Sequence, residues 1–180
     1  QIKYDKVFAA SNHTQNTLMV RRVFHIMKRS PSYNLTRLMI AILYALIIGT
    51  VFIRTRHTEK IFYQNEVDGI LSAVFLSLIV VGVVSVSMAV PVMKQIRDVF
   101  YKHRASGMLA HNSVTVAVTI GELPYICLMS AIFASVFYSL VGLFETLDRW
   151  LYFFLIFGLN IATYTYFGQA FMCLVRDTTT

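Results

Sequence analysis

The stretch GILSAVFLSLIVVGVVSVSMAVPV, residues Gly69–Val92, runs for 24 residues without a charged side chain. A helix of about 20 apolar residues is long enough to cross a hydrocarbon core roughly 30 Å thick. Three further runs are predominantly apolar: Leu38–Ile53, Val114–Leu143 and Leu151–Leu174. The first reaches the required length once Asn34–Arg37 are counted, with Arg37 extending toward the membrane interface. Because only helices and closed barrels satisfy backbone hydrogen bonds inside a bilayer, the sequence predicts an all-α, polytopic helical membrane domain.

The composition and the charge distribution agree with this class. Hydrophobic residues make up 57% of the chain and charged residues 14%, against about 45–50% and 25% in soluble domains. If the N-terminus is cytosolic, twelve of the sixteen basic residues lie in inner segments, and the outer loops hold Arg54, Arg56, Lys60 and Arg149. The positive-inside rule then places both ends of the chain in the cytosol. The net charge of +7 therefore needs no nucleic-acid partner.

A first amphipathic segment precedes the first span. Over Thr17–Arg29, apolar side chains fall on one helical side and basic ones on the other. The apolar side consists of Met19, Val20, Val23, Phe24, Ile26 and Met27, and the basic side includes Arg21, Arg22 and Arg29. Such a helix either rests on anionic lipid headgroups or docks on a protein, and the pattern leaves both interpretations open.

A second amphipathic segment follows Pro91, between the second and third spans. Met93, Ile96, Val99 and Phe100 share one side of a predicted short helix. The other side carries Lys94, Gln95, Arg97, Asp98 and Lys102. Gly107 can end this helix. It suits either contact with a soluble partner domain or a solvated interfacial position.

One carboxylate lies inside a predicted span, in Gly121-Glu122-Leu123-Pro124. An intramembrane carboxylate indicates function or a buried partner. Since Glu122 lies about nine residues from the cytosolic end of its span, we expect it to pair with a basic residue of the first amphipathic segment: Arg21, Arg22 or Arg29. The alternative is that Glu122 carries protons or ions in a secondary transporter or channel. Elsewhere in the spans, Ala41, Ala45 and Gly49 form a small-residue stripe that predicts a helix-packing face.

The search for catalytic chemistry finds no candidate residue. The sequence lacks a phosphate-binding G-x-x-x-x-G-K-[ST] loop, an H-E-x-x-H helix, a C-x-x-C pair and a G-x-S-x-G elbow. The five histidines stand singly in segments outside the spans. We therefore predict no catalytic residue, no metal site and no cofactor in this chain.

Three motifs in a fixed order resemble a known family. They are Val99-Phe100-Tyr101-Lys102-His103-Arg104-Ala105-Ser106-Gly107-Met108, Glu122-Leu123-Pro124-Tyr125 and Tyr138-Ser139-Leu140-Val141-Gly142-Leu143. Together with the amphipathic segment before the first span, they are similar to the membrane domain of G-subfamily ABC transporters. The likeness is greatest to the second membrane domain of pleiotropic drug resistance exporters of fungi, oomycetes and plants. It covers Thr14 to Arg176, and His103 departs from it, because the family usually has an acidic residue there.

The resemblance implies an architecture of six spans, with four present here. They cover about 35–53, 69–92, 114–143 and 151–174 within a partial membrane domain of residues 35–180, and the missing two would follow Thr180. Residues 1–34 form a cytosolic segment with a connector helix, which includes Arg21, Arg22, Phe24 and Arg29. The loop after Pro91 would be the coupling helix, through Val99, Phe100, Tyr101, Lys102 and Arg104.

The resemblance also implies a function. The chain would be the transmembrane part of an ATP-driven exporter of hydrophobic or amphipathic compounds, in the plasma membrane. Its expected partners are membrane lipid, a nucleotide-binding domain that holds ATP and Mg, and a second membrane domain. Ser72, Phe75, Ile79 and Gly82 share a helical side and would line the substrate path.

Overall fold

The fold is a bundle of five α-helices, described by a computed structural model over residues 11–53, 64–106, 111–143 and 146–175. The helices are α1 (Asn12–Lys28), α2 (Pro31–Val51), α3 (Gln64–Ala105), α4 (His111–Val141) and α5 (Leu147–Leu174). Within these ranges every regular element is helical, and α2 to α5 are each long and apolar enough to cross a membrane. The predicted all-α, polytopic helical class is confirmed.

The corner between α1 and α2 is fixed by local polar contacts. The hydroxyl of Ser11 caps α1 by accepting a hydrogen bond from the backbone N–H of Thr14. Pro31 begins α2, where its missing N–H removes no helical hydrogen bond. The side-chain amide of Asn34 donates to the carbonyl of Met27 at 2.8 Å, which ties the first turns of α2 back to the end of α1.

The predicted separate helix after Pro91 is not a separate element. α3 continues through Pro91 to Ala105 as one helix of 42 residues, which at 1.5 Å per residue is about 63 Å long. That is about twice the hydrocarbon thickness, so α3 extends well beyond the membrane. Pro91 removes one backbone hydrogen bond, but Ile96 and Phe100 beyond it pack against α1 and α4 and hold the helix in line.

The helices pack in two main pairs, α3 along α5 and α2 along α4, with α4 and α5 also in contact. The central core contains stacked rings, including Phe133 and Phe157 with centroids 4.5 Å apart. The predicted packing stripe in α2 is confirmed, since Ala41 and Ala45 are buried and Gly49 lies against Leu140 of α4.

The α3–α5 pair depends on very close approach. At Gly168 of α5 an added Cβ would lie 3.1 Å from the carbonyl oxygen of Val86 on α3. Eight residues earlier along α5, the amide of Asn160 donates to the carbonyl of Leu78 at 3.1 Å. Small residues that let backbones approach, together with an interhelical hydrogen bond, are how helices associate in lipid.

Candidate functional site

A buried ion pair joins α2, α4 and α5. Nη1 of Arg37 donates to Oε2 of Glu122 at 2.6 Å, and Nε2 of Gln169 donates to Oε1 of the same carboxylate at 3.2 Å. The exposed fractions are 2% for Arg37 and 0% for Glu122. Each helix therefore contributes one polar side chain to a single buried network.

The partner of Glu122 corrects the sequence prediction. The expected pairing with Arg21, Arg22 or Arg29 is wrong, because Glu122 pairs with Arg37 and these three side chains are exposed on α1 or at its C-cap. The expectation that Arg37 extends to the interface is also wrong. Arg37 lies six residues into α2, and Glu122 eleven residues into α4. Since α2 packs along α4, the two charges meet inside the bundle. The available signal was a basic residue at the start of the first apolar run and an acidic residue within the third.

Arg97 is buried outside this network, although the sequence pattern placed it on the solvated side of a loop helix. Its Nη1 donates to the carbonyl oxygens of Met172 at 3.0 Å and Val175 at 2.8 Å. The last carbonyls of a helix have no partner within it, and they carry the negative end of its dipole. Arg97 therefore caps the C-terminus of α5 and holds it against the C-terminal part of α3, residues 92–105, which is called the inner part of α3 below. Helical periodicity in α3 alone gave no signal for this contact.

The connector helix and the inner part of α3 form one surface. Val23 and Met27 of α1 pack in a second apolar cluster with Ile96 of α3 and Val114 of α4. At the edge of this cluster, Nη1 of Arg22 lies 3.1 Å from Nε2 of His103. Because a guanidinium only donates, Nε2 of His103 is the acceptor in this contact. The family that the sequence resembles usually has an acidic residue at position 103. In this chain His103 occupies that position and contacts a basic residue of α1.

We define the inner surface as the exposed side chains of α1 with its C-cap residue, and of residues 94–103. Most of the residues expected to contact a nucleotide-binding domain are accessible on it. They are Arg21, Arg22 and Phe24 of α1, the C-cap residue Arg29, and Val99, Tyr101 and Lys102 of α3. Phe100 is half-buried and packs toward the second cluster. The side chain of Arg104 lies outside the described part of the chain. The predicted apolar side of α1 is divided, since Phe24 and Ile26 remain exposed while Val23 and Met27 are buried.

The four residues expected along a substrate path occupy two environments. Ser72, Phe75 and Ile79 lie on an exposed side of α3. Gly82 is buried in the α3–α5 contact, where an added Cβ would lie 2.6 Å from the ring of Tyr164. Ser72, Phe75 and Ile79 therefore remain predicted to line a substrate path, whereas Gly82 packs against α5.

A pocket of about 390 Å³ opens between the inner parts of α3, α4 and α5. It is referred to below as the inner pocket. Its apolar walls include Phe100, Val118 and Ala170, and its polar groups include Arg97 and Gln169. The pocket therefore lies between the cap of α5 and the buried ion pair.

Comparison with known proteins gives consistent matches. The family model described as ABC-2 type transporter matches residues 14–180. ABC transporter G family member 38 of Oryza sativa subsp. japonica is 27% identical over 170 residues, which cover 92% of this chain and 11% of that protein. ABC transporter G family member 36 of Arabidopsis thaliana is 27% identical over 149 residues, covering 83% of this chain and 10% of that protein. The chain thus spans about a tenth of the length of the curated relatives it matches.

Proposed function

The chain belongs to the ABC-2 type transporter family, as a multi-pass membrane domain with relatives among G-family ABC transporters, and from this we propose that it forms the transmembrane part of an ATP-driven exporter. The proposed cargo is a hydrophobic or amphipathic compound, and the proposed location is the plasma membrane with both chain ends in the cytosol. ATP and Mg would bind in a nucleotide-binding domain outside this chain.

The inner surface is the observation that carries the proposal. The connector helix and the inner part of α3 pack on each other through Val23, Met27 and Ile96, so a partner that presses on one also displaces the other. Beyond this contact, α3 is continuous from Ala105 to Gln64. A continuous helix can transmit a displacement of its inner end along its length, and α3 keeps its helical geometry through Pro91 although one backbone hydrogen bond is missing there. In our proposal, the nucleotide-binding domain moves Val99, Tyr101 and Lys102, and α3 carries that movement into the membrane.

Two sets of polar contacts between helices would pass this movement from α3 to the other helices. Arg97 holds the end of α5 to α3, and the Arg37–Glu122–Gln169 network joins α2, α4 and α5. Polar contacts inside a bundle resist separation, since a partner left alone in hydrocarbon is costly. We infer that the described helices move largely as one body. Glu122 accordingly has a positioning role, and its complete burial does not favour the alternative of a proton- or ion-carrying transporter.

The experiment replaces exposed side chains of the inner surface in the complete transporter. Val99→Ala with Tyr101→Ala removes apolar area that the fold itself does not bury, Tyr101 being 52% exposed. We expect normal surface expression and retained basal ATP hydrolysis, with export and substrate-stimulated hydrolysis lost together. Phe100 is left intact because it supports the second apolar cluster.

Tyr152→Ala is the matched control. Tyr152 is 68% exposed and lies near the start of α5, at the end of the bundle far from Tyr101. The same truncation there should leave export unchanged. Unaltered export and stimulation in the Val99/Tyr101 variant, at normal surface level, would refute the coupling role.

A further inference from the structure

The connector helix reaches the inner part of α3 through side chains alone. In the described part of the chain, no Cα atom of α1 lies within 8 Å of a Cα atom of α3. By contrast, α1 lies close to α4, where a Cβ added at Gly121 would be 2.9 Å from Cγ1 of Val23. Between α1 and α3 there is a pocket of about 150 Å³, which we call the contact pocket. The position of α1 relative to α3 therefore depends on long side chains that meet across this pocket.

The contact pocket has apolar walls and three polar side chains. The walls include Met19 of α1 and Ile96 of α3, and the polar residues are Arg22, Gln95 and His103. His103 is half-buried, whereas Arg22 is exposed. Nη1 of Arg22 lies 3.1 Å from Nε2 of His103. This contact is directional, unlike the apolar walls, and it joins the connector helix directly to the last turn of α3.

Among the described residues, no carboxylate faces the Arg22–His103 contact. α1 contains no acidic residue, and the residues lining the contact pocket are all non-acidic, including the one from α4, Val114. On α3, Asp98 lies about 140° around the helix from His103 and is 3.6 Å from Arg97. Lys102, next to His103, is basic and exposed. A positive charge on His103 would therefore face Arg22 without a nearby negative charge to offset it.

We propose that the Arg22–His103 contact is a pH-sensitive link between the connector helix and α3. Histidine is the side chain that normally changes charge between about pH 5 and 8, and a protonated imidazole has two N–H donors and no acceptor. A proton on Nε2 of His103 removes the acceptor for Arg22 and sets two positive groups against each other at this short separation. The link is therefore closed when His103 is neutral, and it opens as the pH falls and His103 gains a proton.

Opening of the link should move two helix ends apart without unfolding either helix. Val23 and Met27 belong to the second apolar cluster together with Val114 of α4 and keep α1 on the bundle, and Arg97 still holds the end of α5. Phe100 lines both the contact pocket and the inner pocket, so it has space on both sides when α3 shifts. We expect the first turns of α1 to separate from the last turn of α3.

The consequence for transport rests on the proposed function. If the nucleotide-binding domain presses on the inner surface, a closed link makes α1 and α3 move together, and an open link lets α1 move without α3. Acidification on the side of the membrane that holds the inner surface would then reduce substrate-stimulated ATP hydrolysis. The link itself is a property of this chain and can be tested without ATP or cargo.

The test measures the separation of α1 and α3 by double electron–electron resonance on the complete protein in phosphatidylcholine nanodiscs. In a background without native cysteines, spin labels are attached to cysteines at Leu18 and Ala105. Both positions are exposed and neither lines the contact pocket. Between about pH 8 and about pH 5.5, a range that spans histidine titration, the share of a longer label-to-label distance should rise at least twofold. An identical distance distribution at the two pH values would overturn the proposal.

Three variants assign the response to His103. His103→Gln keeps a side-chain acceptor that gains no charge in this pH range, and His103→Glu supplies a carboxylate that accepts from Arg22. Both should hold the shorter distance at both pH values, and a response that persists in either variant would overturn the proposal. His25→Gln is the matched control, since His25 is exposed on α1 and does not line the contact pocket. It should respond to pH as the parent does, and loss of the response there would assign the effect to another histidine. The readout needs neither ATP nor export, so the link can fail while the proposed transport function stands.

Discussion

Removing one member of the buried ion pair should lower the free energy of unfolding far more than removing both members. Glu122→Leu leaves the Arg37 guanidinium, 2% exposed, without its counter-charge, and it leaves the Gln169 amide without its acceptor. Breaking a buried ion pair in this way costs about 3–5 kcal/mol, and a lost hydrogen bond adds about 1 kcal/mol. We therefore expect Glu122→Leu to lower the free energy of unfolding by about 4–6 kcal/mol, roughly a thousandfold or more in the folded-to-unfolded ratio.

The double variant Arg37→Met/Glu122→Leu is the informative comparison. Replacing both charges by apolar side chains of similar size is often neutral, so the double variant should lie within about 1–2 kcal/mol of the parent. The assay is steric trapping in bicelles, applied to the parent, both single variants and the double variant as a thermodynamic cycle. A coupling energy of about 2 kcal/mol or more is expected. A double variant as unstable as the sum of the two single variants would refute the reasoning.

Asp98→Asn serves as the control for that cycle. Its carboxylate is 50% exposed and lies 3.6 Å from Arg97. Exposed ion pairs contribute about 0–1 kcal/mol, so this change should barely alter the free energy of unfolding. A loss of free energy comparable to that of Glu122→Leu would mean that burial does not determine how much an ion pair contributes to stability.

Further expectations concern the cap of α5, the α3–α5 contact and the orientation in the membrane. Arg97→Met should speed hydrogen exchange in the last turn of α5, with Arg97→Lys intermediate, and unchanged exchange there would contradict the capping role. Gly168→Ala should destabilise the protein in the same steric-trapping assay, because its Cβ meets backbone at 3.1 Å; Gly158→Ala, with its nearest contact at 3.4 Å, should be neutral or up to about 1 kcal/mol stabilising. A single cysteine at Asp148 should react with an impermeant maleimide on intact cells and one at Lys102 should not, and labelling at Lys102 would reverse the proposed orientation.

The sequence by itself determined the class of the fold. Hydrophobic length is a local property, and each apolar run, the first together with the adjoining Asn34–Arg37, reaches the length of a span without reference to distant parts of the chain. For the same reason the amphipathic pattern of α1 and the small-residue face of α2 were predictable, since both repeat with the helical period. The resemblance carried by Val99–Met108 and Glu122–Tyr125 led to the family, which the match over residues 14–180 confirms.

Only the tertiary structure decided which polar groups meet. Glu122 could pair with any basic residue that its neighbours bring to the same depth, and depth and rotation are set by the packing of α2 on α4 over their whole length. Arg97 reads as a solvated residue within α3 and becomes a cap only because α5 ends beside it. Likewise, Pro91 predicted a helix boundary, yet the packing of Ile96 and Phe100 on other helices keeps α3 continuous. These outcomes depend on contacts between segments distant in sequence, which no local pattern encodes.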